Sequence, residues 1–76
     1  MEKVYKHITI YKSDEIHNDH PVFGIVNTKH KDFLGFITYE PNWKQYVFSA
    51  NREDDIIFSV SCLKDIIDFI ENHIQE

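Results

Sequence analysis

The stretch Ser61-Cys62-Leu63-Lys64-Asp65-Ile66-Ile67-Asp68-Phe69-Ile70-Glu71-Asn72-His73-Ile74 decides the fold. Leu63, Ile66, Ile67, Ile70 and Ile74 recur at the 3.6-residue period of an amphipathic helix, while Asp65, Asp68, Glu71 and Asn72 point elsewhere. With Ser61 as N-cap, the pattern predicts a helix over residues 62–75, roughly 21 Å long. A lone helix of that length is marginal in water, so its apolar stripe must be buried against another element.

Upstream the period is two. Val4, Ile8 and Ile10 alternate with Tyr5, His7, Thr9 and Tyr11, which predicts a strand over 4–11. The polar run from Ser13 to Pro21 reads as the longest loop, ended by a proline that disfavours helix in the residue before it. Residues 22–28 and 33–40 are apolar runs joined by Lys29-His30-Lys31-Asp32, an antiparallel hairpin. Gly24 and Gly35, one in each run, mark a bulge or the close approach of another group. Glu40-Pro41-Asn42-Trp43 has the proline and asparagine of a type I turn and leads into a strand over 43–50. After the charged turn Asn51-Arg52-Glu53-Asp54-Asp55, Ile56-Ile57-Phe58 is a short further strand at 56–58. The expected product is a single α+β domain over residues 1–76: a four-stranded antiparallel sheet, with the short fifth strand, and one C-terminal helix packed on one face.

Composition narrows the function. Seventy-six residues, 42% of them hydrophobic and including six Phe, four Tyr and one Trp, suffice for one small core. A single cysteine, Cys62, forbids an internal disulfide, which fits a reducing cytoplasm rather than a stapled secreted scaffold. Met1-Glu2-Lys3-Val4 has no apolar run behind its charges, and the longest strongly apolar stretch, Phe33 to Ile37, is far too short to span a bilayer, so no membrane association is expected. A formal net charge of −5 opposes sequence-independent binding to phosphate backbones and demotes nucleic acid as a partner.

Three sets of residues have types suited to chemistry or binding. Cys62 lies near the expected helix start, where the dipole favours a thiolate, but no base is placed beside it, and buried free cysteine commonly acts as a small apolar residue. His17 and His20 form a His-x-x-His pair beside Asp14, Glu15 and Asp19; with no second ligand pair in the chain, a solvated loop outweighs a metal site. No catalytic residue, metal site or cofactor is therefore assigned. Tyr5, Tyr11, Phe36, Trp43, Tyr46 and Phe48 lie on expected strands, and one helix cannot cover both faces of a sheet, so some of these rings face outward. An aromatic open face is suited to a protein partner, with Trp43 and Tyr46 as anchors and Tyr5 and Tyr11 beside them. The alternative is a single-stranded nucleic-acid binder that stacks bases on the same rings, with Lys3, Lys6, Lys12, Lys29 and Lys31 supplying phosphate contacts.

From Phe33 onward the chain resembles a family of small uncharacterised proteins of phages and prophage-like elements of bacteria. The resemblance rests on Leu34-Gly35, on Trp43, Tyr46 and Phe48, on Phe58-Ser59, and on Cys62-Leu63, Ile66 and Phe69-Ile70. It implies a protein encoded by a mobile element that acts on a component of its bacterial host or of its own virus; the open sheet face is also suited to self-association. It carries over no catalytic role.

Overall fold

A computed structural model describes residues 2–53 and 56–74. Five strands and one helix follow in chain order: β1 (Glu2–Val4), β2 (Ile8–His17), β3 (His20–Asn27), β4 (Phe33–Glu40), β5 (Gln45–Ala50) and α1 (Val60–Asn72). Each strand pairs antiparallel with its neighbour in sequence, giving one open sheet in the order β1-β2-β3-β4-β5. The helix packs on one face of this sheet, the two-layer α+β arrangement that the sequence predicts.

The strand expected over 4–11 is two strands. The chain reverses at Tyr5-Lys6-His7, where the Tyr5 N–H donates to the Ile8 carbonyl at 2.8 Å, so the extra strand lies at the N-terminal edge. The expected 56–58 strand is absent, because Ile56, Ile57 and Phe58 run outside the sheet into the helix. The strand expected over 43–50 begins at Gln45, since Trp43 and Lys44 belong to the turn; Lys44 has φ 54° and the Trp43 N–H donates to the Glu40 carbonyl at 3.2 Å.

The expected loop from Ser13 to Pro21 is also corrected. It is the outer half of the β2–β3 hairpin, closed at Asn18-Asp19 with φ 53° and 64°, the left-handed pair that two-residue hairpin turns demand. Between Lys12 and Ile16 the register shifts, and the Ser13 hydroxyl donates to the Val22 carbonyl at 2.9 Å in place of a ladder bond. That irregularity hides the strand, because it breaks the alternation of apolar and polar side chains.

The helix expected over 62–75 starts earlier. Its N-cap is Ser59 rather than Ser61: the Ser59 hydroxyl accepts the Cys62 N–H at 3.2 Å, and His73 caps the other end. Residue 75 lies outside the described residues. The buried stripe is also rotated from the expected one. Phe69 is fully buried and Ile66 and Ile74 nearly so, whereas Ile67 is 52% exposed and Leu63 is exposed as well. Ile66, Phe69 and Ile74 close over Ile8, Ile10, Phe23, Ile25 and Ile37, with the Phe69 ring edge-on to Phe23 at 5.1 Å.

Candidate functional site

Paired residues in an antiparallel sheet share a face, so the register sorts every strand side chain. Ile10, Ile25 and Gly35 are aligned across β2, β3 and β4, and Phe23, Ile37 and Phe48 across β3, β4 and β5; these face α1. The intervening positions form the opposite face: Val4 and Thr9, Tyr11 and Gly24, Val26 and Phe33, Phe36 and Ser49, Thr38 and Val47. No described element covers this face. Its regularly paired strand positions carry no Asp, Lys or Arg; Glu2 and Glu40 stand at its edges, and Glu15, in the register-shifted part of β2, borders it. In a chain with 28% charged residues, this is a surface poor in charge, and its few charged groups are carboxylates at the margins.

One corner is already closed. Thr9 is only 3% exposed, because its hydroxyl lies 3.0 Å from that of Thr28, which donates in turn to the Tyr5 carbonyl at 3.1 Å. Across the middle, the Tyr11 ring lies on the bare backbone of Gly24, where a Cβ would collide with the end of the ring. Gly24 is thus the close approach that its place in a strand predicts. Beyond Tyr11 the face deepens into a groove of about 360 Å³ lined by Glu15, Ile16, His17, Val22, Phe36 and Thr38. The irregular outer part of β2 forms one wall, and Phe36, edge-on to Phe33 at 4.7 Å and 39% exposed, forms the other.

The four expected anchors do not come together. Tyr11 is on the uncovered face, whereas Trp43 is 67% exposed in the β4–β5 turn. Tyr46 is half-buried on the helix side, its ring against Tyr39 at 5.4 Å and Phe23 at 6.3 Å. Tyr5 is also on the helix side, where its hydroxyl donates to Asp68 Oδ2 at 2.8 Å. Burial, helped by this bond, pushes the Tyr5 phenol well above its ordinary range. The same bond, joined by one from Asn72 and by the nearby His73, holds the Asp68 carboxyl below the usual 3.8. Phe36, Val47 and Ile16 are the side chains that sequence reasoning did not single out as anchors. The signal for Phe36 and Val47 was available, since both alternate with residues, Ile37 and Phe48, that belong to the core.

Cys62 is half-buried and packs against the core near the start of α1. His17 and His20 are opposite one another next to the β2–β3 turn, but the His20 ring stacks on Tyr39 at 3.8 Å. Among the described residues, no three His, Cys, Asp or Glu side chains are grouped as metal ligands would be. No described helix is long and apolar enough to cross a membrane. Comparison of the chain with protein-family models, with curated proteins and with solved structures finds no match.

Proposed function

We propose that the chain is a non-enzymatic protein-interaction module of phage or prophage origin, which works in the cytoplasm and binds through the uncovered sheet face. The observation that carries this reading is the charge-poor surface between Glu2 and Glu40, which deepens into the groove between Phe36 and the Glu15–His17 wall. A contiguous apolar sheet face flanked by polar groups is the form of a protein-docking surface. The partner is a protein of the bacterial host or of the virus, or a second copy of the chain. The origin rests on the resemblance of the segment from Phe33 onward.

The nucleic-acid alternative is weaker on the placement of its lysines. Lys3 and Lys12 pair with Ile10 and Phe23 and so belong to the helix side, and Lys6, Lys29 and Lys31 lie in turns rather than around the aromatic face.

The test is an affinity capture from bacterial lysate with the tagged chain and with its Phe36→Lys and Val47→Lys variants, each with and without nuclease. A protein retained by the parent in both arms and lost by both variants, with the circular dichroism of the parent kept, supports the reading. Capture that is indifferent to both substitutions overturns it, and capture abolished by nuclease transfers the face to nucleic acid.

A further inference from the structure

A meander returns alternate connections to the same end of the sheet, so the β1–β2 and β3–β4 turns lie side by side. Two hydrogen bonds join them: the Thr28 N–H donates to the His7 carbonyl at 2.9 Å and the Thr28 hydroxyl to the Tyr5 carbonyl at 3.1 Å. The topology thereby sorts charge. These two turns hold Lys6, His7, Lys29, His30 and Lys31, with Asp32 as their one carboxylate. Asp14, Glu15, Asp19 and Glu40 go to the half of the sheet near the β2–β3 and β4–β5 turns. In an acidic chain of net −5 the two turns are thus locally basic, with Asp68 beside them on the helix side, where Tyr5 donates to it.

Between the two turns is a cleft of about 270 Å³ lined by Lys6, His7, Asn27, Lys29 and His30. Asn27 fixes its wall, since Oδ1 accepts the N–H groups of Lys29 at 2.9 Å and His30 at 2.8 Å, which leaves its amide NH₂ as a donor. No carboxylate lines the cleft, and among the described residues no Asp or Glu is in ion-pair contact with Lys6 or Lys29. The residues that line it carry two ammonium groups, two imidazoles and a carboxamide, a set rich in donors with no carboxylate among them.

We propose that this cleft binds a phosphate-bearing small molecule. Planar carboxylates are best recognised by the fork of arginine, and the cleft has none; lysine ammonium groups act as point charges suited to the tetrahedral oxygens of phosphate. A free polyphosphate and the phosphates of a nucleotide share this chemistry.

The test is a titration of the ¹⁵N-labelled chain, followed by amide chemical shifts at constant ionic strength, with pyrophosphate and with ADP as separate probes. Saturable shifts centred on Lys6, His7, Asn27, Lys29 and His30 are expected. Each of Lys6→Ala and Lys29→Ala weakens binding about tenfold, the value of one charge-assisted contact, while Lys64→Ala on the exposed side of α1 leaves it unchanged. Equal affinity for the two probes assigns the site to the phosphate group alone, and tighter binding of ADP assigns it to nucleotides. Absence of saturable shifts with both probes overturns the proposal, as does equal weakening by Lys64→Ala, which marks diffuse attraction.

Discussion

The Tyr5 hydroxyl donates to Asp68 Oδ2 at 2.8 Å across 63 residues of sequence, tying the first turn of the sheet to the middle of the helix. The bond couples stability to pH at both extremes. Asp68 titrates below its ordinary 3.8, so its contribution is complete above that value and is lost as pH falls through the lowered one. The Tyr5 phenol is raised, so its contribution is complete below 10.0 and declines as pH rises beyond it. Thermal unfolding followed from pH 2 to pH 11 is expected to give a Tm that falls at both ends. Asp68→Asn shallows the acid limb and Tyr5→Phe the alkaline one. Limbs unchanged in these variants would show that the bond does not contribute.

Helix register separates neighbours in sequence. Phe69→Ala empties a fully buried site and is expected to cost about 3–5 kcal/mol, whereas Ile67→Ala, on the exposed flank, costs about 0.5 kcal/mol or less. Ser59→Ala removes the cap and costs about 1 kcal/mol, with little change for Ser61→Ala. Urea denaturation of the four variants reads these differences, and equal losses at Phe69 and Ile67 would refute the register.

The β2–β3 turn places Asp19 at φ 64°, where an L side chain is strained and glycine is not. Asp19→Gly is expected to stabilise the chain by about 1 kcal/mol. The midpoint of urea unfolding should rise, and a fall would mean that the turn has another form.

Gly35 has no room for a side chain, because a Cβ would meet the Ser49 carbonyl oxygen on the backbone of β5. Gly35→Ala must displace a strand and is expected to cost about 2 kcal/mol or more. At Gly24 the obstacle is the end of the Tyr11 ring, which can swing aside, so Gly24→Ala costs less and releases Tyr11 into solvent. Tyrosine fluorescence together with denaturation separates the two cases.

Much of this architecture was legible in the sequence, and the exceptions have physical causes. The hairpin of Val22–Thr28 and Phe33–Glu40 was visible because both strands are buried on the helix side and bounded by polar turns. The outer part of the β2–β3 hairpin was not, because Ser13 bonds the Val22 carbonyl through its side chain and shifts the register. The helix was plain, but its buried face was not: Ile67 fits an apolar period as well as Phe69 does, and only the position of the sheet chooses between them. Tyr46 was legible as a strand aromatic, whereas Tyr5, expected on a strand, stands in the β1–β2 turn; for both, hydropathy does not say which face of a sheet receives a helix.

Every strand pairing joins segments adjacent in the chain, so the sheet needs only short loop closures. The docking of α1 onto β2 and the Tyr5–Asp68 contact span most of the chain. The low contact order of the meander favours fast refolding for a β-rich protein, with hairpins forming ahead of helix docking. In stopped-flow experiments, Gly35→Ala should therefore slow refolding, and Asp68→Asn should act mainly on the rate of unfolding.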